Sequence, residues 1–368
     1  YLFNGMKSEI HIVLVWEKGL DQIDPILSDL KDNFQILDVS KVNWSDAFFS
    51  NNLSRFYGEK LSDGSFKEKH CGRGPFVVII LKQDNPIYDF RKTSRGDERV
   101  NSILFDKKEL YRSWTGGGHK VHASNNILES SHDIFFLFQK SLNHFLNKDE
   151  WGGVIEDKVV DIAGYNGWVD FNELFNFINK VSGYVILRNY DNLEQLPIDS
   201  DIDFLSSDLD FHYHINGSRK YKYKNRAAYK VAIGKDNRDV DVRLINDGYY
   251  DPNWTLDIIK NRILYKNKFF IPDPINEFYS LLYHVLIHKN DLSDKYNKRL
   301  IQLASKIELK IDTHCIGDRS KMLSLLEDFL IAKGYEITNP NDFSVQYNYA
   351  KKGFKRILWE MIGRIKDG

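Results

Sequence analysis

The sequence DSDIDFL at residues 199–205, followed by DVDVR at residues 239–243, decides the fold of the second half of the chain. Both stretches alternate acidic and apolar residues, which is typical of strands with one face in a core. Residues two apart share a face of a strand, so Asp201 and Asp203 are predicted to project together, and Asp241 can converge on them from a neighbouring strand. Three such carboxylates repel unless a cation is bound, and hard oxygen ligands favour Mg²⁺ or Mn²⁺. A solvated turn is the alternative, although acids among core residues are costly without a partner.

The order of strand, turn, strand with Asp-x-Asp and later strand with a third Asp resembles the nucleotidyltransferase superfamily. The resemblance covers residues 184–205 and 240–242 and implies a nucleotidyltransferase-like α/β core with a helical tail. It implies that Asp201 and Asp203 are metal ligands and that Asp241 is the third ligand and a candidate catalytic base. It further implies a nucleoside triphosphate or nucleotide-activated donor, and some members transfer phospho-alcohol groups onto glycans.

Two basic stretches are predicted to bind the nucleotide. The superfamily has a glycine-containing turn after its first strand, whereas residues 187–190 read LRNY here, so Arg188 and Asn189 are the predicted phosphate-binding residues. The segment RKYKYKNRAAYK at residues 219–230 alternates Lys and Tyr. It is either a solvated hairpin or a clamp for a phosphorylated acceptor, in which Lys222 and Lys224 would bind phosphate.

A histidine with small residues behind it marks the first half of the chain, in GGGHKVHASN at residues 116–125. With the strand RGPFVVIIL at residues 73–81 before it and a long helix after it, this order resembles nucleoside diphosphate kinase over about residues 9–146. The resemblance implies a ferredoxin-like domain in which His122 is a phosphorylated nucleophile and Arg112 binds phosphate. Ser124 and Glu129 would orient the ring.

That resemblance has departures at the positions of the kinase's phosphate ligands. Trp16 stands where the family has a Lys, and Gly118-His119 stand where it has Arg-Asn. Three alternatives therefore stay open: an active phosphohistidine, a retained fold used for binding or assembly, or no relationship.

The pattern of elements predicts an α+β protein of two domains, since 368 residues exceed a typical single domain. The polar segment at residues 147–158 separates a first domain at 6–150 from a second at 151–368, with residues 1–5 expected to be a non-native remnant. The second domain is predicted to end in helices near residues 255–263, 275–288, 300–307 and 321–332. His284 and His288, four apart on one of them, are predicted to pack in a core or active-site wall.

The composition excludes several classes of protein. A net charge of −1 gives no general attraction for nucleic acid, which is the lesser alternative as a partner. Two cysteines, Cys71 and Cys315, cannot build a disulfide framework or a cysteine-rich zinc site, so a cytoplasmic location is expected. No apolar run approaches the length of a membrane span. The sequence thus predicts a metal-dependent transferase that moves a nucleotidyl or substituted phosphoryl group to a sugar, polyol or surface-glycan precursor.

Overall fold

The chain divides into two compact units between Asn166 and Gly167 in the computed structural model. The structure describes residues 8–93, 96–197, 200–221, 227–289, 291–309 and 316–349. The division differs from the boundary predicted at residue 150, because Glu156–Val159 form a strand that pairs in parallel with a strand of the first unit.

The first unit alternates strands and helices along its described residues. These are β1 (Ser8–Val15), α1 (Ile23–Lys31), β2 (Gln35–Asn43), α2 (Phe49–Tyr57), α3 (Phe66–Cys71), β3 (Phe76–Asp84), β4 (Tyr88–Thr93), β5 (Gly96–Asn101), α4 (Ser102–Trp114), β6 (Val121–Ala123), α5 (Ile127–Phe138), α6 (Asn143–Leu146) and β7 (Glu156–Val159).

Five of these strands form one sheet in the order β6-β1-β3-β2-β7. The β6–β1, β1–β3 and β3–β2 pairs are all antiparallel. With α1 after β1 and α4 before β6, this is the βαββαβ topology of ferredoxin-like folds. The β4–β5 hairpin was not identified from the sequence. No residue of β4 is buried, so this strand lacks the apolar alternation that signals a half-buried strand.

Helix α5 is shorter than the predicted helix at residues 127–146. The Asn126 side chain caps its start by accepting hydrogen bonds from the backbone N–H groups of Leu128 and Glu129. Gln139 then takes a left-handed conformation with φ 53°, which ends the helix. Because residues four apart share a helix face, Glu129 and Asp133 lie one above the other on α5.

The second unit places its strands before most of its helices. Its described elements are α7 (Phe171–Val181), β8 (Tyr184–Ile186), β9 (Ile202–Ser206), α8 (Phe211–His214), β10 (Ser218–Arg219), β11 (Ala228–Ile233), β12 (Asp236–Leu244), α9 (Pro252–Lys260), β13 (Ile263–Tyr265), β14 (Phe269–Ile271), α10 (Pro274–Tyr283), the π-helical turn His284–Lys289, α11 (Asp294–Lys306) and α12 (Arg319–Lys333).

The main sheet of the second unit is mixed, in the order β10-β11-β12-β9-β8. Strands β9 and β12 are parallel neighbours, and the other pairs are antiparallel. The helices bury an apolar cluster that includes Trp254, Phe278 and Leu286. This core fixes the loops that face the acid-bearing strands. In the described part of the chain, no helix is both long and apolar enough to cross a membrane.

Candidate functional site

Asp203 and Asp241 lie side by side in the middle of the second unit's sheet. The parallel register of β9 and β12 pairs these two residues directly. Their side chains keep 13% and 23% of their surface exposed, whereas the residues before and after each of them are buried in the core. Asp201, two residues before Asp203, is exposed and lies just ahead of β9. The alternating pattern of both stretches thus places two carboxylates at one accessible point of the sheet.

The electrostatics of this point favour a cation. Burial raises the pKa of Asp241, and the carboxylates of Asp203 and Asp201 raise it further, against the opposing effect of Arg243. A carboxylate whose pKa is raised by burial and by neighbouring carboxylates is stabilised as an anion when a positive charge lies next to it. The donor set, made only of carboxylate oxygens, suits Mg²⁺ or Mn²⁺.

Two arginines already pair with the acids. Arg188 donates from Nη2 to Asp203 Oδ1 at 2.7 Å, and Arg243 donates from Nη2 to Asp241 Oδ2 at 3.1 Å. Arg243 also donates to Asp342 at 3.0 Å. Burial opposes the charge on Arg188, yet Asp203 and the neighbouring tyrosines hold its pKa well above the ordinary value. The predicted phosphate-binding Arg188 therefore contacts a predicted metal ligand in this structure.

A buried hydrogen-bond chain continues from Arg188 into the helical core. Its Nη2 also donates to the Tyr249 hydroxyl at 3.2 Å, and that hydroxyl lies 3.0 Å from Nδ1 of His284. Burial, aided by Arg188, lowers the pKa of His284 well below its ordinary value, so the ring that shares a hydrogen bond with the Tyr249 hydroxyl is neutral. The sequence predicted that His284 packs in a core or active-site wall, but it did not connect His284 to Arg188.

Asn189 turns the chain directly after Arg188 without a glycine. Its φ is 59°, in the left-handed region that glycine favours and that Asn tolerates better than most residues. The side chain is exposed. Asn189 thus supplies the backbone geometry of a glycine turn directly after Arg188.

Lys222 and Lys224 lie outside the described residues. The described part of the same segment is a hairpin, in which Ser218 and Arg219 of β10 pair with Lys230 and Tyr229 of β11.

The first unit gathers a second polar cluster around His122 of β6. Nε2 of His122 lies 2.8 Å from Asp133 Oδ2 on α5, and Asp133 Oδ1 lies 3.1 Å from Nδ1 of His132. Hydrogen bonds from both histidines lower the pKa of Asp133 against the effect of its burial. Burial raises the pKa of Glu129, with Asp133 adding to the effect. The sequence indicated His122 and Glu129 but missed Asp133, whose one signal is its position four residues after Glu129.

Two residues expected beside His122 make other contacts. Ser124 Oγ lies 3.2 Å from Nδ1 of His11 and accepts from the Ile12 backbone, so it was wrongly expected to orient His122. Ser124 directly follows the last residue of β6, and its side chain contacts β1. Arg112 donates from Nε to the Val121 carbonyl at 3.1 Å and from Nη1 to Glu109 at 2.8 Å. The carbonyl of Val121, the residue before His122, thus holds the Arg112 side chain near His122.

Metal-ligating side chains are gathered most tightly in this first unit. Among the residues that the structure describes, His122, Glu129 and Asp133 form the one group of three whose donor atoms all lie within 4.8 Å of one another. Asp201, Asp203 and Asp241 are not gathered to that degree, because Arg188 and Arg243 each hold one of these carboxylates. Whether they bind a metal stays a prediction.

Comparison with known proteins gives a partial likeness. No family model and no curated protein matches the chain. Among solved structures, the Aquifex aeolicus nucleoside diphosphate kinase is 15% identical, with 34% of this chain and 92% of that chain covered and a TM-score of 0.25. A nucleoside diphosphate kinase family protein from Babesia bovis is 12% identical, with 39% and 95% covered and a TM-score of 0.24. At TM-scores this low, no function follows from the likeness.

Proposed function

We propose that the second unit is a nucleotidyltransferase-like domain that moves a nucleotidyl or substituted phosphoryl group from a nucleotide donor to a hydroxyl or phosphate acceptor. The acceptor class that we propose is a sugar, polyol or surface-glycan precursor. The observation that supports the proposal is the direct pairing of Asp203 with Asp241 on parallel strands at an accessible point of a buried sheet.

The proposed cofactor is Mg²⁺ or Mn²⁺, which when bound would neutralise phosphate charge and activate an acceptor oxygen. Asp201 and Asp203 would hold it, together with Asp241. The raised pKa of Asp241 also suits a carboxylate that accepts the acceptor's proton, since a base works best with a pKa near the working pH.

Arg188 would bind the donor's phosphates. Its side chain already reaches Asp203, and the next residue, Asn189, turns the chain in a left-handed conformation. In the absence of nucleotide, Arg188 serves as the counter-ion of Asp203. When a metal takes Asp203, the guanidinium becomes available for a phosphate oxygen.

Calorimetric titration of the full chain with nucleoside triphosphates, with and without Mg²⁺, tests this proposal. The wild type should bind at least one triphosphate in a Mg²⁺-dependent manner. Asp203→Asn and Asp241→Asn keep the side-chain shape and an amide oxygen that can still accept from Arg188 or Arg243, and they should lose the Mg²⁺ dependence; thermal unfolding checks that each variant is folded. Asp236→Asn is the matched control, since Asp236 lies at the start of the same strand β12 and pairs with Arg238. Unchanged Mg²⁺-dependent binding in Asp203→Asn would refute the proposal.

A phosphohistidine kinase at His122, in a nucleoside diphosphate kinase-like first unit, is the second candidate function. The contact of 2.8 Å from His122 to the buried Asp133 favours it, because a hydrogen-bonded partner orients the ring of a nucleophilic histidine. Trp16 argues against it, since this side chain is fully buried among aromatic rings and donates to the Tyr57 hydroxyl. Acid-labile phosphate on His122 after incubation with ATP would establish the kinase.

A further inference from the structure

The cluster of His122, Glu129 and Asp133 joins two elements whose mutual position is fixed by the core. Strand β6 pairs with β1, and α5 packs against β1. The apolar side of α5, which includes Ile134, is buried. Three ligand-type side chains from a strand and a helix therefore converge without depending on a flexible loop.

The donor atoms of the cluster lie close enough together to share one ion. Ligands that surround a tetrahedral ion at bonds of about 2.0–2.2 Å are separated from one another by about 3.3–3.6 Å. Here His122 Nε2 and Asp133 Oδ2 make a hydrogen-bond contact of 2.8 Å that an ion would replace, and all three donor atoms lie within 4.8 Å of one another. Small rotations of the side chains bring such atoms to one ion.

The charges of the cluster also call for a cation. Two carboxylates, one of them on the buried Asp133, face the His122 ring, and the partly exposed His132 ring contacts the other oxygen of Asp133. The nearest basic side chains bind other groups: Lys108 donates to the Asn125 side chain at 2.7 Å, and Arg112 donates to the Val121 carbonyl. A divalent ion would balance the two carboxylates.

Neighbouring groups orient both carboxylates as they do around known metal ligands. The backbone N–H of Asn125 donates to Glu129 Oε2 at 2.6 Å, and the His132 ring lies 3.1 Å from Asp133 Oδ1. Hydrogen bonds of this kind hold ligands in position before the metal arrives. The Phe56 and Tyr57 rings contact the His122 ring edge-on and restrict its rotation.

We propose that the first unit binds a divalent first-row transition ion, of which Zn²⁺ is the representative, through His122 Nε2 and the carboxylates of Glu129 and Asp133. An imidazole among the ligands favours Zn²⁺, Fe²⁺ or Mn²⁺ over Mg²⁺ and Ca²⁺. Three protein ligands leave a position for water or a substrate oxygen, which is typical of catalytic sites rather than closed structural ones. A metal on Nε2 would also withdraw that nitrogen from phosphorylation.

The experiment is a Zn²⁺ titration of the chelator-treated full chain, followed by calorimetry and by competition with a chromophoric chelator. We expect the wild type to bind one Zn²⁺ per chain and His122→Ala to bind none. The affinity for Zn²⁺ should fall by at least 10-fold in Glu129→Gln and in Asp133→Asn. The Co²⁺-loaded wild type should show visible absorption bands that weaken in the same variants. Glu129→Gln preserves side-chain shape and keeps the test valid if His122→Ala fails to fold.

The controls separate this site from the second unit. His144→Asn removes an exposed histidine that lies in the same unit, and it should leave Zn²⁺ binding unchanged. Asp203→Asn should also leave it unchanged, so failure of the magnesium proposal and failure of this one are distinguishable. Equal stoichiometry and affinity in His122→Ala, Glu129→Gln and the wild type would overturn the proposal, as would a wild type that binds no Zn²⁺.

Discussion

Replacing Arg188 with Met should change metal binding and nucleotide binding in opposite directions. Met keeps a long apolar side chain but removes the guanidinium that donates to Asp203 at 2.7 Å and to Tyr249 at 3.2 Å. Without that guanidinium, the Asp203 carboxylate is free to bind Mg²⁺. The same change removes the cation proposed to bind the donor's phosphates.

The size of both effects follows from the contact that is lost. A hydrogen bond between charged groups contributes about 1.5–3 kcal/mol. Mg²⁺ must displace this contact in the wild type, so Mg²⁺ binding without nucleotide should be about 10-fold tighter in Arg188→Met. We use the lower end of the energy range because the side chain of Asp203 is 13% exposed. Triphosphate binding at saturating Mg²⁺ should weaken by about 10- to 150-fold.

Calorimetry of both ligands with the two proteins measures these changes. Arg262→Met is the matched control, because Arg262 belongs to the same unit but lies over the Phe270 ring and donates to the Ile259 carbonyl. It should leave both affinities unchanged. If Arg188→Met binds Mg²⁺ and triphosphate with wild-type affinities, Arg188 neither competes for Asp203 nor binds phosphate.

Three further predictions concern stability. Asn189→Gly should be neutral or stabilising, whereas Asn189→Ala should lower the free energy of unfolding by about 1 kcal/mol, because φ is 59° and alanine is strained there. Urea unfolding of both variants measures these changes, and equal losses of stability in the two would contradict the prediction. Tyr249→Phe should lower the free energy of unfolding by about 1–3 kcal/mol in the same assay, because it leaves Nδ1 of the buried His284 without its hydroxyl partner. An unchanged free energy of unfolding would show that Tyr249 and His284 do not make this hydrogen bond. Burial, aided by Arg219, lowers the pKa of His212 to about 4 in the folded protein. In the unfolded chain the pKa of this histidine is about 6.5, so between these two values the unfolded state binds more protons. The free energy of unfolding therefore falls as pH drops from about 6.5 towards 4, by up to about 1.4 kcal/mol per pH unit. His212→Asn should make that pH slope shallower, and an identical slope would exclude His212 as its source.

Alternation along the chain was sufficient to predict the acid-bearing strands. In the 199–205 and 239–243 stretches, acids occupy one face and core residues the other, so the pairing of Asp203 with Asp241 follows once the strands are neighbours. The partners of these acids could not be predicted in the same way. Arg188 follows β8 and reaches Asp203, while Tyr249 follows β12 and reaches Arg188. Both lie outside the paired strand segments, and no local periodicity predicts where such segments lead.

The first unit shows the same limit at His122. Its strand and helix were predicted, yet the residue that contacts His122 is Asp133 rather than Ser124. The orientation of α5 decides this, because the helix brings the face shared by Glu129 and Asp133 to the ring. That orientation results from packing against β1 and is not encoded in the local motif.

The charges around Asp241 explain how the second unit could fold without a metal and still bind one. Arg188 and Arg243 provide two positive charges, while Asp201, Asp203, Asp241 and Asp342 provide four negative ones. The arginines make the empty arrangement stable enough to fold, but they do not neutralise it. Arg243 is held between Asp241 and Asp342, beneath the Tyr249 ring, so it is fixed in position. Arg188 pairs with Asp203, and it is the arginine that would move to an incoming phosphate if a divalent cation took its place.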